Sequence, residues 1–183
     1  MTDSARVLKL LASMYLCPPS AEAITFWRSI LADEVPDVLG ELRDAVMAVD
    51  IGADAMEDQL WDYTRLFVGP YHLPCPPWES VYRSSKRMLM QGPAEGVAQW
   101  YAAAGFVVDH TGVMPDHLGA ELNFLALVSG SSDGDSFLRL HVMTWAPQFT
   151  ADMEAAAETE MYRTLARTTR SALEWLGAEI VPS

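Results

Sequence analysis

Asp116 and His117 are neighbours in the chain, and a carboxylate beside an imidazole, whose unperturbed pKa is about 6.5, is a pairing that general acid–base chemistry uses. Adjacent residues on a helix point roughly 100° apart, however. The pattern also places no serine or cysteine where the pair could activate it. A capping aspartate beside a structural histidine fits the same two residues. His117 and Glu121 stand four apart, so both could face one metal ion, with His141 joining from another helix. Without a second such pair, the spacing equally suits a hydrogen bond along a helix surface. His72 and His110 fall in loops without an evident partner. Cys17 and Cys75 lie beside prolines at no metal-ligand or redox spacing, as inert thiols in a reducing compartment do. No GxGxxG follows a strand, and no glycine-rich loop ends in Lys-Ser or Lys-Thr. The expectation is therefore no cofactor and no stoichiometric metal.

Two other sets of residues suit binding better than catalysis. Tyr63, Leu66 and Phe67 fall within about one helical turn, and a proline-rich stretch after them carries Tyr71 and Trp78. Such an aromatic stripe serves either a core or a peptide-binding surface, and its spacing alone does not choose between them. Residues 33 to 62 hold ten acids, Asp33, Glu34, Asp37, Glu41, Asp44, Asp50, Asp54, Glu57, Asp58 and Asp62, against Arg43 alone. They form either a solvated helix face or a negative field that draws a basic peptide. With 12 basic and 25 acidic residues, the chain carries a formal charge of −13, which argues against a nucleic-acid partner. Ten methionines add adaptable apolar surface wherever they are exposed.

The elements that must position these residues are helices. Val7, Leu8, Leu11, Met14 and Tyr15 recur at helical spacing behind a cap at Asp3 or Ser4, and Pro18-Pro19 ends the run. Further helices are expected from Ser20, with Ile24, Trp27 and Leu31 inside, and from Pro36. Another follows Asp54, whose Glu57 completes a capping-box pattern, with Met56, Leu60, Tyr63 and Phe67 on its apolar face. Four prolines between 70 and 77 impose a loop over 68–78. Helical spacing returns at 79–90, from Pro93 to a stop at Gly105, and after Asp116 as the cap, with Leu118, Leu122 and Leu125 inside. Phe137, Leu140 and Met143 precede an expected break at Trp145-Ala146-Pro147, and a last helix over 158–176 buries Met161, Leu165, Thr169, Ala172 and Leu176. The segment SGSSDGDS at 129–136 has the composition of a flexible linker, a candidate hinge through which two copies could exchange parts as a homodimer. The expected fold is all-α: one helical-bundle domain over 1–183 with a proline-rich aromatic loop. The N-terminal residues fit neither a signal peptide nor an anchor, and no segment reaches the roughly 20 apolar residues of a membrane span. The expected location is the cytoplasm, without membrane insertion.

Three runs, YTRLFVGPYHLPCPPWESVY from Tyr63, PDHLGAEL at 115–122 and HVMTWAPQF at 141–149, together resemble the TorD/DmsD family of cytoplasmic redox-enzyme maturation chaperones. The resemblance spans roughly residues 60–176. It implies an all-helical chaperone, not an enzyme, that binds the twin-arginine signal peptide of a molybdoenzyme and holds the apo-enzyme until its cofactor is inserted before export. Carried over by position, the family's peptide-binding residues fall on Tyr63, Leu66, Phe67, Tyr71, Pro77, Trp78 and Tyr82, and its Asp-His pair on Asp116 and His117. The glutamate that precedes that pair in the family is absent, since Val113, Met114 and Pro115 stand there. Two other function classes remain open: a weak nucleotide-binding or hydrolytic enzyme using Asp116 and His117, and a stable accessory subunit of an oxidoreductase.

Overall fold

In the computed structural model, residues 2–70, 72–84, 92–108 and 112–180 are described. They form α-helices in the order α1 (Asp3–Leu16), α2 (Ala21–Leu31), α3 (Gly40–Ala48), α4 (Ala53–Tyr63), α5 (Glu79–Arg83), α6 (Gly92–Ala104), α7 (Leu118–Val128), α8 (Ser132–Phe137), α9 (Met143–Ala156) and α10 (Glu160–Ile180). The fold is all-α, and the one extended pairing among the described residues is an isolated bridge between Trp78 and His117.

The helix ends follow their caps. Ser20 accepts from the Ala23 N–H at 3.1 Å as expected, whereas α1 is capped one residue earlier than expected, by Thr2 accepting from Ala5 N–H at 3.2 Å. The Asp54–Glu57 capping box does not form. Gly52 occupies the cap position without a side-chain bond, and the Asp50 carboxylate takes the Gly52 N–H instead. Arg28 of α2 donates to the carbonyls of Val46, Met47 and Val49, closing the C-terminus of α3.

α1 and α7 make the centre. α1 buries Val7, Leu8, Leu10, Leu11, Met14 and Tyr15, and α7 buries side chains around nearly its whole circumference. Their approach depends on Gly119, where a Cβ would stand 2.5 Å from the Leu16 side chain and 3.1 Å from the Ala12 carbonyl. The long amphipathic α10 closes the bundle with the expected stripe from Met161 to Leu176 facing in. One apolar cluster runs from Ala5 to Leu176.

Two expectations fail. Leu60 and Leu140, assigned to apolar faces, are 46% and 58% exposed. Leu60 points outward from α4 itself, and Leu140 lies within a π-helical turn, Leu138–Val142 after α8; a second such turn, Thr64–Val68, follows α4. The wider turn, seen in the Gly69 N–H to Thr64 carbonyl bond at 3.0 Å, breaks the three-and-four spacing: Leu66 is buried beside Phe67, and in the second turn Leu138 and Val142 are buried in place of Leu140. Pro147 does not break its helix either. The residue four before it, Met143, has a ψ of −13°, which turns its carbonyl away from the proline ring.

The segment 129–136 is not the open linker its composition suggested. Gly130 turns the chain at φ 80°, Ser131 caps α8 by accepting from the Gly134 N–H, and a Cβ at Gly134 would come within 2.4 Å of the Val128 carbonyl. Small polar residues stand here because the backbone packs on itself.

The two glycines of opposite setting give a direct check. Gly119→Ala overpacks the α1–α7 contact and is expected to cost about 1–3 kcal/mol. Gly177→Ala, in α10 with open space around its Cβ position, is expected to stabilise by about 0.5–1 kcal/mol. Urea unfolding of the two variants beside the native chain measures both; the same sign for both would contradict the close helix contact.

Candidate functional site

All three runs singled out in the sequence meet at one place. The extended residues before α5 and before α7 are joined directly: Leu118 N–H donates to the Pro77 carbonyl at 2.9 Å, and Glu79 N–H to the Asp116 carbonyl at 3.0 Å. The Asp116 carboxylate completes the join by accepting from Ser80 N–H at 3.0 Å. It thus caps α5, a helix of another segment, and not its own. The cap of α7 is His117, whose Nδ1 accepts from Gly119 N–H at 3.1 Å. The expected cap at Asp116 is corrected by one residue.

The same bonds bear on catalysis. A carboxylate that orients a catalytic imidazole accepts a hydrogen bond from its ring N–H, most often at Nδ1. In this protein Nδ1 accepts a hydrogen bond, and the Asp116 carboxylate serves backbone. The pair is built as a structural clasp, not as a charge-oriented base.

Beneath the clasp lie buried carboxyls. Glu79 has no exposed surface; it receives Arg83 Nη1 at 2.5 Å and lies 2.9 Å from His141 Nδ1, and the His141 ring stacks on Phe137. Glu121 is equally buried and accepts from Trp145 Nε1 at 3.1 Å, so the surface bond expected between His117 and Glu121 is replaced by an interior one to the third run. Burial first, and the charge of Glu79 second, push the Glu121 carboxyl well above the ordinary carboxylate range, against the Trp145 N–H, which favours the anion. Its Oε1 is buried without a hydrogen-bond partner, which disfavours the anion further. Among the described residues, no group of three or more His, Cys, Asp or Glu side chains could hold a metal ion. Burial also pushes both thiols, Cys17 and Cys75, upward, away from the thiolate a ligand or nucleophile requires.

Above the clasp is a pocket of about 290 Å³ walled by Tyr63, Phe67, Trp78 and His117 from the expected set, with Tyr15, Leu16, Val68 and residues 112–114. Tyr63 is held by donating to the Tyr15 carbonyl at 3.2 Å, and its ring meets Phe67 edge-on at 5.3 Å. Trp78 stands edge-on to His117 at 5.9 Å. The remaining expected residues support these walls. Leu66 and Asp116 have no exposed surface, Pro77 is buried, and Tyr82 packs on Trp145 at 5.5 Å. Tyr71 lies outside the described residues. Sequence reasoning missed Tyr15, Leu16, Val68 and the 112–114 wall. The first two sit on α1, read only as core, and Val68 is turned outward by the π turn.

The ten-acid stretch divides. Nine of its carboxylates are exposed, whereas Asp62 is buried and accepts from the N–H groups of Glu158 and Thr159, the Thr159 hydroxyl and Arg65. It pins the end of α4, and with it the π turn carrying Phe67, to the start of α10. Trp61, 62% exposed, stands two turns before Val68 on this acidic flank.

The family model described as nitrate reductase delta subunit matches residues 30–151. The chain is 28% identical to the Tat proofreading chaperone DmsD of Salmonella typhi, covering 98% of this chain and 90% of that protein, and 27% identical to its counterpart in Salmonella typhimurium over the same shares. A crystal structure described as a redox enzyme maturation protein from Archaeoglobus fulgidus shares the fold, with a TM-score of 0.67 at 24% identity and 93% of each chain covered.

The buried carboxyl makes a pH prediction. A group whose folded pKa is raised contributes stability that is complete below its unfolded value, about 4.3 for glutamate, and that is lost as pH rises through the raised value. Glu121→Gln keeps an acceptor for Trp145 but has no proton to lose. Its melting temperature relative to the native chain is expected to be higher at pH 8 than at pH 5. A difference that is the same at both pH values would mean that Glu121 titrates normally.

Proposed function

Because the chain belongs to the nitrate reductase delta subunit family, the TorD/DmsD chaperones of molybdoenzyme maturation, which are not enzymes, we propose that its pocket binds the twin-arginine leader of a molybdenum-dependent oxidoreductase and holds the apo-enzyme until its cofactor is in place. The carrying observation is the pocket of Tyr63, Phe67, Trp78 and His117, aromatic, concave and fixed by the clasp below it. A leader of this class presents two arginines and then an apolar helical stretch. The stretch matches the aromatic walls, and the arginines match the exposed carboxylates of α3 and α4 and the Trp61 face, where a guanidinium can stack.

Rigid aromatic walls favour affinity because little freedom is lost when a peptide docks on side chains already held by packing. The acids on the rim act at longer range, raising the rate of encounter with a basic peptide more than the lifetime of the complex. No helix among the described residues is long and apolar enough to cross a membrane. A protein with this role meets its client in the cytoplasm, before export.

Titration calorimetry with a molybdoenzyme's twin-arginine leader is the test. Phe67→Ala and Trp78→Ala are each expected to weaken binding roughly 5- to 150-fold at any salt, as loss of an aromatic anchor of about 1–3 kcal/mol requires. Replacing both leader arginines by glutamine, or raising the salt, is expected to slow association. A folded protein that leaves the leader unbound at tens of micromolar would overturn the proposal.

A further inference from the structure

Among the described residues that line the aromatic pocket, none is an Asp, Glu, Lys or Arg. Its polar side chains are engaged elsewhere. The Tyr15 hydroxyl lies 2.8 Å from the Thr169 hydroxyl in the interior, and the Tyr63 hydroxyl donates to the Tyr15 carbonyl. His117 accepts at Nδ1 from the Gly119 N–H, so its ring is neutral with the proton on Nε2, and Trp78 Nε1 is a buried donor without a partner. Asp116, next to His117 in the chain, has no exposed surface. The lining side chains therefore offer a ligand ring and alkyl surface and N–H donors, with no carboxylate to receive a cation. A guanidinium carries donors only, and stacking on the rings returns less than its desolvation without a partner costs.

The part of the lining that settles this charge balance is Val113 and Met114. Their segment turns at Gly112, φ 85°, and is held by backbone groups: the Met114 carbonyl accepts the His117 N–H at 3.1 Å, and the Pro115 carbonyl accepts the Tyr101 hydroxyl at 2.8 Å. The Val113 and Met114 side chains are half-buried against the pocket and take no part in these bonds. The fold fixes where this wall stands and leaves its charge to two side chains. A cavity of about 290 Å³ is at the lower edge of the ~300–1,000 Å³ usual for ligand sites, room for one large side chain and not for a length of helix. Met114 is unbranched and adaptable, so the wall fits apolar side chains of different shape.

We infer that Val113 and Met114 are specificity-determining residues: by walling the pocket with uncharged surface, they make it take one apolar side chain of the leader and turn the leader's arginines away. This rests on the leader-binding function proposed above and names the part of the leader that the pocket reads. Selection here is by charge more than by shape, since a misplaced arginine is rejected by its unpaired charge while one apolar side chain replaces another at small cost.

The experiment titrates the full chain by calorimetry at neutral pH with a molybdoenzyme's twin-arginine leader and with variants of it, each apolar residue replaced in turn by arginine and by methionine. One position is expected at which arginine weakens binding about 10-fold or more and methionine less than about 3-fold. At that position Met114→Glu is expected to shrink the preference for the native leader over its arginine variant by about 10-fold, because a wall carboxylate supplies the missing partner. Met114→Gln, of the same size without the charge, is expected to leave the preference within about 3-fold of native. Damage to the fold weakens both peptides alike and leaves their ratio unmoved. Val113→Glu reads the same ratio and covers the case that Met114→Glu does not fold. If the native chain binds the leader but accepts arginine at every apolar position, or if the glutamate variants keep the native ratio, the assignment is overturned and leader binding stands. If the native chain binds no leader, both fall.

Discussion

The buried Asp116 carboxylate is the constraint on which the site depends. Residues 77–80 and 116–118 are separated by more than thirty positions, and each is too short to form structure alone. The carboxylate caps α5 across that gap, and the two backbone bonds beside it align the segments so that Trp78 faces His117. A five-residue helix has little intrinsic stability, since nucleation costs more than one turn repays. Its capping by a charge fixed on another element is what makes α5 a rigid wall, and what makes an Asp-His pair necessary without any chemistry at the imidazole.

That clasp concentrates acids where water cannot reach them. Glu79, Asp116 and Glu121 are all fully buried, and three nearby charges of one sign are not stable in a low-dielectric interior unless they are compensated. Arg83 and His141 answer Glu79, backbone N–H answers Asp116, and the Trp145 N–H answers Glu121, whose carboxyl burial pushes above the ordinary range. The acids and their partners lie on three segments, so the cluster ties 79–83, 116–121 and 141–145 together more specifically than apolar contact would. Charge elsewhere is sorted just as sharply. The carboxylates of α3 and α4, Asp62 excepted, remain in water.

Much of the fold was legible in the sequence. The helices at α1, α2, α6 and α10 appear with their apolar stripes as read, because each buries one face against a single core and ends at a proline, a glycine or a cap that chain-local energetics explains. So were the all-helical class, the membership of the TorD/DmsD family and the gathering of Tyr63, Phe67, Trp78 and His117. Local rules failed where a competing contact of the nearby backbone outweighed them. Asp54 and Glu57 did not close a capping box because Asp50 took the turn, and the polar 129–136 stretch became a packed turn and helix because Gly134 allows the backbone to approach Val128.

The sequence by itself determined which residues are apolar, where most helices begin, and where negative charge accumulates. Those follow from propensity, spacing and composition, which act within a few residues of chain. Only the tertiary structure decided which members of the aromatic set have a surface to offer. Leu66 and Phe67 are adjacent and equally apolar, yet one is core and the other lines a pocket, because a π turn rotates them relative to the stripe of α4 and the clasp brings Trp78 and His117 to one side of it. It likewise decided that Asp62, alone among ten neighbouring acids, is an interior cap. Burial is a property of what packs on a residue from distant parts of the chain, and spacing along one helix carries no record of that.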